Sequence, residues 1–195
     1  MEETAVKTRL AIFDFDGTLV NTPGPEEGKV RYQQATGKAW PHKGWWGRRE
    51  TLVPPVFNNE EEALKQEVIA EFRKAKADPA TQVVMMTGRH GGQEREVAAI
   101  LSKYGLEPDE QYYQGHKSLV SHPQYPKTQD TWAYKHHVLT NVLVPRSGIK
   151  VVEMWDDRED HVPKWIETCK WIRSSYPMIE KIVFHDSGTG QSHVL

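Results

Sequence analysis

The chain has 195 residues, a single cysteine, and 25 Lys and Arg against 27 Asp and Glu, for a formal charge of −2. That length suits one domain, or two small ones, and buries roughly 70% of the surface an unfolded chain exposes. The charge balance excludes a global drive toward nucleic acid while permitting a local basic groove, and one cysteine excludes an intrachain disulfide or a cysteine-rich zinc site.

Residues 1–10 are polar and hold no apolar stretch of signal-peptide length. No run reaches the ~20 apolar residues that span a bilayer, so a cytoplasmic protein without membrane contact is expected. Residues 9–13 (RLAIF) read as a strand buried on both faces. Residues 20–58, rich in Pro and Gly, read as an irregular insertion loop or flap, too long for a simple connector. Three of the seven tryptophans (Trp40, Trp45, Trp46) fall within it. A helix is expected next, with Asn59 as N-cap, Glu62 three residues on, and Leu64, Val68 and Phe72 on one face. Asp78-Pro79 ends it.

Residues 81–86 (TQVVMM) predict a second buried strand, closed by Thr87-Gly88-Arg89. A helix follows over 93–103, then a short strand over 110–114; Pro123 and Pro126 mark loop. Thr128 or Asp130 caps a helix running to about Val144. Residues 149–155 (IKVVEMW) predict a third strong strand, broken by Asp156-Asp157. The helix expected over 161–174 tolerates Pro163 in its first turn, and 179–184 reads as the last strand. Strands separated by helices predict an α/β three-layer sandwich with a mainly parallel sheet, one domain over 1–195, and only small flap or cap insertions. The nine histidines show no HExxH or other ligand spacing, which favours surface or capping roles over a metal site.

In such sheets ligands bind beyond the carboxyl ends of the strands. Three expected strands end in polar clusters: Asp14-Phe15-Asp16-Gly17-Thr18, Thr87-Gly88-Arg89 and Asp156-Asp157-Arg158. Phosphoryl transfer needs such a set. A phosphoester and a carboxylate nucleophile repel, and a divalent cation with hard oxygen ligands, Mg2+ above all, offsets the repulsion. Asp14 binds the metal with one oxygen and attacks phosphorus with the other. Asp16, two residues on in extended backbone, falls on the same side and serves as acid and base. Gly17 permits the sharp exit and Thr18 braces the carboxylates. Thr87 and the amide of Gly88 hold the phosphoryl oxygens, and Asp156 with Asp157 completes the metal shell.

Trp132, Lys135, Leu139 and Val142 share one helical face, which points Lys135 inward to orient Asp14. A shifted stripe through Trp132, His136, Leu139 and Leu143 would leave Lys135 at the edge, with Lys117 and Lys127 as the other candidates.

FDFDGTL, VVMMTGR, the inward lysine and MWDDR resemble the four motifs of the haloacid-dehalogenase-like (HAD) phosphatases. The resemblance spans residues 13–158 and implies a HAD-like Rossmannoid fold. It also implies that Asp14 is the nucleophile, Asp16 the acid/base, Thr87 the phosphate ligand, and Asp156 with Asp157 the acidic metal support. It implies further that the backbone carbonyl of Asp16 binds magnesium. The fourth motif departs from the pattern, because DDRED permits either Asp157 or Asp160 beside Asp156. After the first motif, NTPGP, GKAWPHKGWWGR and ETL resemble the insertion in Swiss-Army-Knife-type RNA repair phosphatases. The DDR run is similar to the 3′-phosphatase half of bacteriophage-type polynucleotide kinases.

These resemblances imply a phosphatase that cleans RNA or DNA ends. Trp45 and Trp46, beside Lys43, Arg48 and Arg49, would stack a base and contact the backbone, unless the tryptophans form the loop's own small core. Arg89 and Arg158 would bind the substrate phosphate or terminal sugar, unless they pair with the site's own carboxylates. The rival readings are a small-molecule or nucleotide phosphatase and a binding module that keeps the scaffold without catalysis.

Overall fold

The computed structural model describes residues 6–115 and 130–195; Lys117, Pro123, Pro126, Lys127 and Thr128 lie outside them. In chain order the main elements are strand β1 (Arg9–Phe13), helix α1 (Pro25–Thr36), helix α2 (Gln66–Ala77) and strand β2 (Thr81–His90). Helix α3 (Glu94–Ser102), strand β3 (Glu110–Gln114) and helix α4 (Thr131–His137) follow. Strand β4 (Val151–Asp156), helix α5 (Val162–Ser175), and strands β5 (Lys181–Asp186) and β6 (Gln191–Val194) complete the chain.

The strands form one six-stranded sheet in the order β3-β2-β1-β4-β5-β6. All pairings are parallel except β5 with β6. Side chains alternate across the pleat, so β1 feeds two cores at once. Ala11 and Phe13 join Val83, Met85, Ile69, Phe72, Val97 and Ile100 on one face. Leu10 and Ile12 join Val84, Met86, Leu139, Trp165 and Ile182 on the other. Helices α2 and α3 cover the first face, α4 and α5 the second, giving the expected three-layer α/β sandwich with a mainly parallel sheet. The apolar strand runs are explained by this double burial. Phe13, Trp155 and His185 sit in register on β1, β4 and β5, with ring centroids 4.3 and 4.4 Å apart. This aromatic ladder lies just beneath the strand tips.

Four local expectations change. Residues 20–58 are not irregular throughout, because α1 lies inside them. Its sequence, PEEGKVRYQQAT, carries no apolar stripe, and its one buried residue is Gly28; the periodic signal for a helix is absent. The helix expected from Asn59 starts later. Asn59 is left-handed, with φ 53°, and Glu61–Ala63 form a single 3-10 turn. Leu64 bridges to Val20, and only then does α2 begin. Strand β2 runs on to His90, with an irregularity between Thr87 and His90. The expected last strand is followed by β6, which is too exposed to announce itself by alternation.

Candidate active site

Strands β1 and β4 are neighbours, so their tips deliver Asp14 and Asp156 side by side. Lys135, 1% exposed on α4, places its ammonium between them, 2.7 Å from Asp14 Oδ2 and 2.7 Å from Asp156 Oδ2. The remaining oxygens are also held. The Phe15 amide donates to Asp14 Oδ1 at 2.8 Å, and the Arg158 amide donates to Asp156 Oδ1 at 3.0 Å. Asp130 caps α4 by accepting from the Trp132 and Ala133 amides, which fixes the helix that carries the lysine. The inward face contains Tyr134, Lys135, Val138 and Leu139, all buried, while Trp132, His136 and Val142 are half-buried. A π-type segment over Val138–Leu143 follows, so neither of the two straight stripes describes the face fully.

Oxygens of Asp14, Asp156 and Asp157 lie within 4.8 Å of one another. Asp160 is not in this group; it pairs on the surface with Arg158, at 2.7 Å. The geometry thus favours Asp157 over Asp160 beside Asp156, and it pairs Arg158 with Asp160 outside that group. Three carboxylates facing one ammonium leave negative charge uncompensated in a buried place. Burial pushes the Asp14 carboxyl well above the ordinary carboxylate range; Lys135 opposes that rise, and Asp156 and Asp157 add to it. Asp157 is raised by burial and then by Asp156. Burial alone would lower Lys135, yet Asp14 and Asp156 outweigh it and raise the ammonium above its usual value. Such an oxygen-only set fits a hard divalent cation.

The turn after Asp14 is shaped around Asp157. Gly17 has φ 69°, and a Cβ there would lie 2.0 Å from Asp157 Oδ2. Only glycine admits both the turn and the carboxylate. Thr18 is fully buried, 2.8 Å from Ser187 Oγ and a long 3.5 Å from Asp157 Oδ1. Lys65 donates to the carbonyls of Gly17 (2.9 Å) and Ser187, tying the turn to the loop after β5. Sequence reasoning missed Lys65 and Ser187. The apparent helix from Asn59 hid the extended Leu64–Lys65 step that aims the lysine at this turn. Asp186, at the end of β5, caps that same loop through the Gly188 and Thr189 amides.

Asp16 forms an isolated bridge to Val20 just beyond β1, and its carboxylate faces a different partner. Arg89, 1% exposed, grips it with Nη2 at 2.7 Å and Nε at 2.9 Å, and the Thr22 hydroxyl also donates to it. The same guanidinium donates to Thr51 Oγ1 at 2.7 Å and to the Trp46 carbonyl at 3.1 Å. Arg89 therefore pins the insertion to Asp16, the carboxylate-pairing alternative. Thr87 is fully buried and accepts from the Arg89 amide at 3.1 Å. At Gly88, a Cβ would lie 2.7 Å from the Thr131 methyl, so glycine lets the start of α4 dock on β2.

The two tryptophans expected to stack a base part company. Trp45 is buried, its indole donates to the Pro23 carbonyl at 3.1 Å, and it packs on Gly28 of α1 and Trp40. Its ring belongs to the insertion's own core, and a stacking role for it falls. Trp46 is 48% exposed, with Arg89 Cζ 5.0 Å from its centroid. The histidines are not all superficial: His90 caps the turn after β2, whereas His137 and His161 are buried.

A mainly parallel sheet between helical layers, with Asp14, Lys135 and Asp156 converging at the strand tips, defines a HAD-like Rossmannoid domain. The profile described as HAD domain family 1 in Swiss Army Knife RNA repair proteins matches residues 30–187. The chain belongs to that family. The match includes Thr87, Lys135, Asp156 and Asp157 and begins after the Asp14–Thr18 run.

Among solved structures, the chain is similar to one described as "Structure of Pnkp1/Rnl/Hen1 complex", at 18% identity and a TM-score of 0.47, covering 85% of this chain and 47% of that one. It thus spans about half the length of that relative. It is also similar to the Legionella pneumophila effector Ceg4, at 14% identity and a TM-score of 0.51, over 95% of this chain and 88% of that one. The HAD domain of the Legionella pneumophila effector Lem4 gives 14% identity and a TM-score of 0.48, over 97% and 90%. At these identities the likeness is one of fold alone. No curated protein matches the chain. No helix among the described residues is long and apolar enough to cross a membrane.

Proposed function

We propose that the chain is a magnesium-dependent phosphomonoester hydrolase that works through an aspartyl-phosphate on Asp14 and acts on phosphorylated nucleic-acid ends, a polynucleotide 3′-phosphatase-like activity in RNA repair. The observation that carries this reading is the buried Asp14–Lys135–Asp156 ion triad with Asp157 in reach. Asp14, Asp156 and Asp157 would hold Mg2+ together with the Asp16 carbonyl. When bound, the ion offsets charge between nucleophile and phosphate.

The chain's own groups supply the rest. Lys135 favours the ionised form of Asp14 against its burial and orients the carboxylate. An oxygen of Asp14 forms a bond to phosphorus as the bond to the leaving oxygen breaks, and Asp16 delivers a proton to that oxygen. Water then attacks phosphorus and gives its proton to the Asp16 carboxylate, and the acyl-phosphate bond breaks to restore Asp14. Arg89 and Thr22 fix the Asp16 rotamer for both proton transfers. Thr87 and the Gly88 amide receive the phosphoryl oxygens.

Family membership supports an RNA-repair setting, and the exposed Trp46 above Arg89 supports a base-bearing substrate. The test is a panel of 3′-phosphorylated RNA, 3′-phosphorylated DNA and mononucleotides with and without Mg2+, using Asp14→Asn as control. Mg2+-dependent phosphate release from the oligonucleotides, lost in the variant, is expected. Turnover confined to mononucleotides would transfer the assignment to a nucleotide phosphatase, and no turnover by any substrate would leave a binding module.

A further inference from the structure

A cleft of about 300 Å³ opens between residues 47–50 of the insertion and residues 90–93 at the end of β2. Its walls include Arg48, Arg49, Glu50, His90 and Gln93. Hydrogen bonds between the two segments set its shape. Gln93, buried, donates to the Arg48 carbonyl at 3.0 Å and accepts from the His90 amide at 3.2 Å. Arg49 Nε donates to the Gly92 carbonyl at 2.7 Å.

The charge on Arg48 is not spent internally. The Arg48 guanidinium is exposed and makes no hydrogen bond or ion pair among the described residues. Arg49 meets Glu96 only at 3.7 Å, and Glu50 is engaged by His42 at 3.2 Å. The cleft walls are also next in sequence to residues that reach the strand tips. The first wall residue follows Trp46, and His90 follows Arg89, whose guanidinium holds Asp16.

We infer that this cleft is a second phosphate subsite, which takes the phosphodiester one nucleotide inward from the terminal phosphate of a single-stranded polynucleotide while Trp46 stacks on the intervening base. It rests on the phosphomonoesterase reading for the position of the terminal phosphate. Guanidinium forks match phosphate oxygens, and an exposed aromatic ring next in sequence to the cleft wall offers a base a stacking face. A phosphorylated peptide offers one phosphate and leaves the cleft unused.

Binding tests this without turnover. Dissociation constants are measured in Mg2+ with Asp14→Asn for a nucleoside 3′-monophosphate, the matching 3′-phosphorylated dinucleotide and a phosphotyrosine peptide of equal charge. The dinucleotide is expected to bind about tenfold more tightly than the mononucleotide, and Arg48→Ala to shrink that gap below about threefold. The log–log salt slope for the dinucleotide should fall by about 0.7 in Arg48→Ala, one phosphate contact on a single strand. Equal affinity for mono- and dinucleotide, a gap that Arg48→Ala leaves intact, or a peptide as tight as the dinucleotide overturns the subsite. Turnover of p-nitrophenyl phosphate by the unaltered chain reports separately on the phosphomonoesterase reading, so either failure is recognisable alone.

Discussion

The strand tips and the insertion handle charge in opposite ways. At the tips, Lys135 is buried between Asp14 and Asp156, and three carboxylates crowd one pocket. In the insertion, Arg48 and Arg49 remain exposed around a cleft whose shape comes from side-chain bonds to backbone carbonyls. Buried, mutually dependent charges tie chemistry to folding; solvated charges permit recognition to vary at little cost to the fold. Arg89 joins the two regions, fully buried yet bonded to Asp16, Trp46 and Thr51.

That contrast predicts a graded series of effects. Lys135→Met leaves Asp14 and Asp156 facing each other without a cation, and should cost about 3–5 kcal/mol of folding stability by urea denaturation. Arg48→Ala, by comparison, should stay within about 0.5 kcal/mol of the parent; equal losses would erase the distinction. Gly17→Ala forces a Cβ into Asp157 at a positive φ, and phosphatase turnover should drop about a hundredfold from the misplaced carboxylate. Gly28→Ala drives a Cβ to 2.0 Å from Trp45, an overpacking that should cost about 1–3 kcal/mol. Limited proteolysis should then cut first within the insertion, and cutting elsewhere would show that the insertion is not a separate packing unit.

The smallest effect concerns pH. Asp14 and Asp157 have folded values raised from 3.8, so the folded metal-free chain binds protons more tightly than the unfolded one. Their contribution to stability is complete below about 3.8 and is lost as pH rises through the raised folded values. Metal-free protein at neutral pH should therefore gain about 2–4 °C in Tm from Asp157→Asn, and the Tm rise produced by Mg2+ should shrink in that variant. A lower Tm for metal-free Asp157→Asn would mean that the carboxylate stabilises the fold by itself.

The sheet and its tips were legible because double burial leaves an unbroken apolar run and a charged residue then stops it; Phe13-Asp14 and Trp155-Asp156 are such junctions. The inward placement of Lys135 was legible from its apolar helical neighbours, although the π-type segment after it was not. The insertion was opaque for the opposite reason. Helix α1 buries only Gly28, so its sequence holds no stripe, and the fate of Trp45 depends on a glycine across the loop. Lys65 ties the Gly17 turn to Ser187 through their backbone carbonyls, contacts that leave no mark in side-chain patterning. The turn of the chain after β4 brings Asp157, and not Asp160, to Asp14 and Asp156, whereas two nearby carboxylates in one short run look alike in sequence.

The most direct measurement is covalent. The chain is incubated with Mg2+ and a 3′-phosphorylated oligonucleotide, quenched, and treated with borohydride, which reduces an aspartyl-phosphate to homoserine. Homoserine at position 14 by peptide mass spectrometry, absent without Mg2+, is the expected result. Phosphate release that proceeds with position 14 unmodified, or with Asp14→Asn still active, contradicts it.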